Sequence, residues 1–173
     1  MRVYLIGYMG SGKTTTSKRL ASVLGLPCYD LDQLFEEQYK IDIPHFFERY
    51  DESLFRKLES QLLKDTLQLD QAIIATGGGT PCFYDNMQWM NEHGLTVYIQ
   101  MQAESVFHRL KSSKRKRPLV AQKTDEELNE FIREHMRQRN IFYSQAHVIV
   151  KGESLDVKGL TEKIIQTQKK LQK

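Results

Sequence analysis

The sequence predicts a three-layer α/β/α fold around a five-stranded parallel sheet. Three observations carry this. The chain has 173 residues, close to one domain at about 150 residues each. Short apolar runs alternate with amphipathic stretches along most of its length, the pattern of strand–helix–strand units. A glycine-rich turn joins the first apolar run to the first amphipathic stretch.

Composition narrows the class further. Lys and Arg number 25 against 22 for Asp and Glu, a net charge of +3, so overall charge gives no pull toward nucleic acid. Hydrophobic residues are 40% and charged residues 27%, the balance of a soluble globular protein rather than a disordered one. No apolar run approaches the roughly 18 residues of a membrane helix. The opening Met1–Gly7 is too short for a secretory signal. Cys28 and Cys82 stand apart with no C-x-x-C, which fits reduced thiols in a cytoplasmic protein. Repeats, linkers and low-complexity segments are absent from the sequence. A single domain over 1–173 is expected, and collagen, coiled coil, disulfide-stapled and membrane classes are excluded.

The elements follow in order. Val3–Ile6 is the first strand. Thr14–Leu24 is a helix, with Ser17, Leu20, Ala21 and Leu24 at helical spacing, Gly25 at the stop and Pro27 beyond it. Cys28–Tyr29 begins a short second strand that leads into Asp30-Leu31-Asp32. A stripe of Phe55, Leu58, Leu62 and Leu69 predicts one long helix over about 51–69. Ala72–Ala75 is the third strand and ends in Thr76-Gly77-Gly78-Gly79. A helix over about 84–93 leads to the fourth strand, Thr96–Gln100, and another helix covers about 103–110. A polar, basic stretch runs from Lys111 to Lys123. Thr124-Asp125-Glu126-Glu127 is a capping-box pattern that opens the next helix. Val148–Val150 is the fifth strand and 157–171 the closing helix. The strand before the first glycine-rich turn is expected at the centre of the sheet.

Gly7-Tyr8-Met9-Gly10-Ser11-Gly12-Lys13-Thr14 fits G-x-x-x-x-G-K-[ST] in full and stands between a strand and a helix. Its glycines let successive N–H groups point into one concavity, which together with the helix N-terminus binds phosphate oxygens. Lys13 adds a point charge at the β and γ oxygens, and the Thr14 hydroxyl is placed to ligate Mg²⁺. Binding of a nucleoside triphosphate is the firmest functional inference from the residues alone.

Other residues leave alternatives open. Alternation along an extended Asp30-Leu31-Asp32 puts both carboxylates on one side, at the sheet edge where α/β ligands bind. One is then available to the Mg²⁺ water shell and one to a proton from an attacking hydroxyl; equally, Asp32 caps a following helix. The third strand ends in Thr76-Gly77, not in an aspartate, which leaves Asp30 as the nearest metal-directing carboxylate. Gly77, Gly78 and Gly79 mark either close approach of backbone to a ligand or an ordinary loop. Arg56 has Glu52 and Glu59 within reach on its helix face. That spacing suits a surface salt-bridge ladder, or a guanidinium fork held for a carboxylate ligand. Arg139 lies 11 residues after Leu128, about 1100° of helix, so it continues the inward face of Leu128, Ile132 and His135. An inward charge needs an anionic partner, from a ligand or from within, unless the helix has frayed by then. The stretch Lys111–Arg117 is a solvated loop, a nucleic-acid patch or a lid. It carries no interleaved aromatics to stack bases, and Arg117-Pro118 suits a lid arginine over a phosphate. The five histidines show no metal-ligand spacing.

Taken together, these motifs resemble the shikimate kinase family of nucleoside-monophosphate-kinase-like proteins. The resemblance runs from Arg2 to about Val150. It rests on GYMGSGKT at 7–14, DLD at 30–32, FRKLE at 55–59, TGGG at 76–79, RPL at 117–119 and RNIFYSQA at 139–146. It implies a P-loop kinase architecture with a mobile lid at about 111–124 and a substrate-binding subdomain at about 32–69. It also implies ATP- and Mg²⁺-dependent phosphorylation of the 3-hydroxyl of shikimate by a cytoplasmic monomer, with no nucleic-acid or membrane partner. Carried over, Gly10, Ser11, Gly12, Lys13, Thr14 and Thr15 match the ATP phosphate loop, and Thr14 with Asp30 the Mg²⁺ site. Arg109 matches the adenine neighbour and Arg117 the lid arginine. Asp32, Arg56, the glycines Gly77–Gly79 and Arg139 match the shikimate site, with Asp32 a base and Lys13, Asp32 and Arg117 catalytic. Glu59 matches the residue that steadies Arg56, and Phe47 and Phe55 the apolar walls. Two segments depart from the family pattern: Asp51-Glu52 stands where glycine-glutamate is usual, and Thr80-Pro81-Cys82 where a small apolar pair is. No residue around 151–155 matches the second adenine contact. On the residues alone, a gluconate or nucleotide kinase, or a nucleic-acid-binding ATPase, are the rivals.

Overall fold

The computed structural model describes residues 1–113 and 123–171. Five parallel strands form one sheet: β1 (Arg2–Ile6), β2 (Cys28–Asp30), β3 (Ala72–Ala75), β4 (Leu95–Gln100) and β5 (Val148–Lys151), in the order β2-β3-β1-β4-β5. β1 is central and pairs on both sides, Val3 with Ile73 of β3 and with Leu95 of β4. The chain leaves β1 toward one edge and later returns to fill the other. The carboxyl end of β1 is therefore the switch point where such sheets bind ligands.

The layers follow from strand alternation. Val3 and Leu5 point to one face, with Ile73 and Val97. There they meet Leu20 and Ala21 of α1 (Lys13–Leu24) and Leu160 and Ile164 of α8 (Val157–Leu171). Tyr4 and Ile6 point to the other, with Ile74 and Tyr98. This face is covered by α2 (Leu31–Tyr39), α3 (Ile43–Arg49), α4 (Glu52–Asp65), α5 (Asn86–His93), α6 (Ala103–Ser112) and α7 (Asp125–Tyr143). β1 and β3 are apolar and almost wholly buried, as a parallel sheet covered on both faces requires.

Local chemistry sets several boundaries. Gly25 ends α1 in the left-handed region at φ 64°. Asp51 caps α4 by accepting from Leu54 N at 2.7 Å, so that helix starts cleanly without the family's glycine. The capping box at Thr124 and Glu127 is formed. The single helix expected over 51–69 instead stops at Asp65 and continues as a 3₁₀ turn, Thr66–Gln68. Thr66 Oγ1 bonds back to the Leu63 carbonyl at 2.6 Å and tightens the chain there. The helix expected from 84 begins at Asn86, because Tyr84 has φ 51° and cannot lie in a right-handed helix. Sequence reasoning places no helix at α2 or α3, although Leu31, Leu34 and Phe35 stand at helical spacing and Asp42 with Pro44 marks a helix start. The expected 32–69 subdomain corresponds to α2, α3, α4 and the 3₁₀ turn. Within the expected lid, Lys111 and Ser112 close α6; residues 114–122, Arg117 among them, lie outside the described residues. Among the described residues, no helix is long and apolar enough to cross a membrane.

Candidate active site

The glycine-rich turn leaves β1 at the switch point. Gly10 and Gly12 have φ of 78° and 93°, a region that L side chains rarely adopt, and so the loop can curl over the start of α1. No side chain caps α1, which leaves its first-turn N–H groups for phosphate oxygens. Ser11 Oγ is the one buried side-chain polar atom without a hydrogen-bond partner among the described residues, and it belongs to this loop. Lys13 is folded beneath it, with Nζ donating to the carbonyls of Gly7 at 2.8 Å and Tyr8 at 3.0 Å. Thr15 is exposed on the first turn of α1. From α6, the exposed Arg109 crosses the loop and donates to Gly10 O at 3.2 Å.

Beside the loop, Thr14 Oγ1 donates to Asp30 Oδ2 at 2.7 Å. Asp30 Oδ1 accepts from Asp32 N at 3.1 Å. These bonds correct the extended-segment expectation: the strand stops at Asp30, Asp32 sits in the first turn of α2, and Asp30 is the cap. Asp32 still reaches the sheet edge, with Oδ1 3.1 Å from where a Cβ on Gly77 would stand. Among the described residues, no three His, Cys, Asp or Glu side chains cluster as a metal site. A hydroxyl and one carboxylate are hard oxygen donors. They fit Mg²⁺, which takes one or two protein ligands and completes its shell with water and phosphate.

The second half of the site is cationic. Arg56 Nη1 donates to Glu59 Oε2 at 2.9 Å, and Nε and Nη2 donate to Glu52 Oε1 at 3.1 and 3.0 Å. The Phe83 ring centroid lies 4.2 Å from Cζ. The Arg56 side chain is only 11% exposed, which is no surface ladder. Burial works against its charge, but the carboxylates of Glu59 and Glu52 outweigh that and hold its pKa above the ordinary value. Phe55 is buried beneath it, and Phe47 packs on Phe55 with ring centroids 4.7 Å apart.

Arg139 is 9% exposed on α7, which continues unbroken to Tyr143, so the helix has not frayed. No carboxylate among the described residues forms an ion pair with it. Its Cζ lies 5.6 Å from the centre of the Tyr8 ring. Tyr8 OH pairs with His135 Nδ1 at 2.9 Å. Burial, helped by the Arg139 charge, lowers the His135 pKa to about 4, which leaves the imidazole neutral at neutral pH.

The three glycines make room for these side chains. A Cβ on Gly77 would meet Glu59 Oε1 at 2.7 Å, one on Gly78 would meet Arg139 Nη1 at 3.4 Å, and one on Gly79 would meet Arg56 Nη1 at 2.6 Å. Tyr143 OH donates to Gly78 O and fixes the turn from α7. The structure thus brings Asp32, Arg56, Arg139 and the phosphate loop to one edge of the sheet. Sequence reasoning missed Phe83, Thr80, Tyr143 and the Tyr8–His135 pair. Tyr143 had a signal in the RNIFYSQA segment, Tyr8 in the phosphate-loop motif, His135 in the inward face of its helix and Thr80 in the departing segment, but their roles were not read. The departing Thr80-Pro81-Cys82 forms a 3₁₀ turn whose buried Thr80 hydroxyl donates to Glu59 Oε1 at 2.6 Å.

Comparison with known proteins places this arrangement. The shikimate kinase family pattern matches residues 9–169. A shikimate kinase from Phocaeicola vulgatus is 40% identical over 173 residues, covering 99% of each chain. The crystal structure of shikimate kinase from Bacteroides thetaiotaomicron superposes with a TM-score of 0.86 at 37% identity, over 100% of this chain and 99% of that one. Shikimate kinase from Acinetobacter baumannii in complex with shikimate gives 0.83 at 30% identity, over 95% and 90%. A glycine-rich phosphate loop facing two buried arginines, and this likeness over the whole length, establish that the chain belongs to the shikimate kinase family.

Proposed function

We infer that this chain transfers the γ-phosphoryl group of ATP to the 3-hydroxyl of shikimate, giving shikimate 3-phosphate and ADP, a step of aromatic amino acid biosynthesis. The observation that carries an acid acceptor is Arg139, a buried cation beside the phosphate loop with no carboxylate paired to it among the described residues; membership of the shikimate kinase family narrows that acid to shikimate. A buried charge without a counter-charge is costly, and an organic acid offsets that cost on binding.

In this reading Arg56 and Arg139 grip the shikimate carboxylate, and Asp32 binds its hydroxyls and accepts the proton of the attacking one. The hydroxyl oxygen bonds to the γ-phosphorus as the bond to the β–γ bridging oxygen breaks, and ADP departs. The loop from Gly10 to Thr15 holds the phosphates. Lys13 turns from its two carbonyl acceptors toward the β and γ oxygens, where its charge counts most in the transition state. Thr14 and Asp30 would hold Mg²⁺, which would supply neutralising charge to the triphosphate. Arg109 is assigned to the adenine and, from the sequence, Arg117 to the transferring phosphoryl. The enzyme is assigned as a monomer, and the two free cysteines suit a reducing cytoplasm.

A coupled ADP-release assay with Mg²⁺–ATP tests the assignment. Shikimate should raise the rate by orders of magnitude, and gluconate and nucleoside monophosphates should not. ADP release indifferent to shikimate would overturn it.

A further inference from the structure

Behind Arg56 a line of buried polar groups runs from the site into the core. Ser60 Oγ donates to Asn86 Oδ1 at 2.7 Å, and Asn86 Nδ2 donates to the Thr80 carbonyl at 2.9 Å. Thr80 Oγ1 donates to Glu59 Oε1 at 2.6 Å, and Glu59 Oε2 accepts from Arg56 Nη1 at 2.9 Å. Thr80 and Asn86 are fully buried, and Glu59 is 3% exposed. The two Glu59 oxygens thus have different tasks, one fixed by Thr80 and one holding Arg56.

This division matters because the terminal torsion of a glutamate is soft. With Thr80 in place the carboxylate plane is set, and Glu59 takes one N–H of the guanidinium. Without that hydroxyl, Oε1 is a buried acceptor lacking a donor. Arg56 already donates to the other oxygen of the same carboxylate, so its guanidinium is a donor that a rotated Glu59 can take with both oxygens. A bidentate Glu59–Arg56 pair then forms, and the fork is turned away from any other carboxylate.

We propose that Thr80, acting through Glu59, is a positioning residue that keeps the Arg56 fork open to the substrate carboxylate. Asn86 holds the turn that carries Thr80, and Ser60 holds Asn86. This rests on the assignment of Arg56 to that carboxylate and goes beyond it by naming what sets the arginine.

The test compares wild type, Thr80→Val and Thr80→Ser with shikimate and with its neutral methyl ester, at saturating ATP. Thr80→Val should raise the KM for shikimate about tenfold. Its kcat and its KM for ATP should stay within about twofold, and Thr80→Ser should retain the wild-type KM. The wild-type preference for acid over ester should shrink by the same factor in Thr80→Val. If wild type shows no such preference, the assignment of Arg56 fails and the proposal with it. A preference that persists unchanged in Thr80→Val overturns the proposal alone. A loss shared equally by kcat, the ATP KM and the ester makes Thr80 merely structural and also overturns it. Should Thr80→Val melt below the assay temperature, Thr80→Ala replaces it, with the same results expected and the same results overturning the proposal.

Discussion

Adding one methyl group at Gly79 should separate acid recognition from everything else the protein does. Gly79 has φ −90° and ψ −19°, a conformation open to any residue, so Gly79→Ala brings no backbone strain. Its Cβ, however, would stand 2.6 Å from Arg56 Nη1 and 2.7 Å from Nη2, where ordinary contact starts at 3.4 Å. The guanidinium must retreat by the difference, about 0.8 Å. Bonds now at 2.9 and 3.0 Å to Glu59 and Glu52 cannot all survive such a shift, and the Phe83 ring blocks one way out. A charge-assisted hydrogen bond contributes about 1.5–3 kcal/mol. Misplacing the one to the substrate carboxylate therefore lowers kcat/KM for shikimate by about 10- to 150-fold. The assay is initial rate against shikimate at saturating ATP, with the ATP KM and a thermal melt as controls. The ATP KM should be nearly unchanged, and the melt should drop by only the few degrees that one lost Arg56–carboxylate bond costs. Full wild-type kcat/KM for shikimate in Gly79→Ala would show that Arg56 does not grip the acid.

Other perturbations probe the remaining parts of the site. Lys13→Ala should cut kcat by at least about a hundredfold with the circular dichroism spectrum intact, because its charge acts mainly in the transition state. Asp30→Asn weakens the acceptor that orients the Thr14 hydroxyl, so the Mg²⁺ concentration for half-maximal rate should rise about tenfold in a metal titration. His135 makes stability depend on pH. Its folded pKa of about 4 lies below the unfolded value of about 6.5, so the unfolded chain binds a proton first as pH falls. The stabilisation is complete above about pH 6.5 and is lost on descent toward about pH 4. Tyr8 and Phe131 pack against it, and the charges acting on it are Arg139 and Arg56, which lower its pKa, and Glu52, which raises it. Urea midpoints over that window should fall less steeply in His135→Asn than in wild type.

The parts of the protein legible from sequence are those whose chemistry is local. Short runs marked all five strands within a residue or two; the inner β1, β3 and β4 must be buried on both faces, while the edge strands β2 and β5 are partly exposed. The phosphate loop declared itself because its glycines, lysine and threonine are contiguous. Arg139 could be turned inward by counting helix turns from Leu128. The Asp30–Asp32 geometry was misjudged because the strand-to-helix junction replaces period 2 with 3.6 two residues earlier than expected. Thr80 and Phe83 were beyond reach for another reason. Their roles exist only once α4 brings Arg56 and Glu59 against the turn after β3, and nothing adjacent in the chain records that meeting.

The buried guanidinium of α7 has a consequence for the durability of the molecule. A leucine in its place would pack at lower cost, since the described residues supply no counter-ion for the charge. On the assignment of Arg139 to the substrate acid, binding offsets that cost, so shikimate should raise the melting temperature. An enzyme built this way should be hardest to unfold while its reactant is bound.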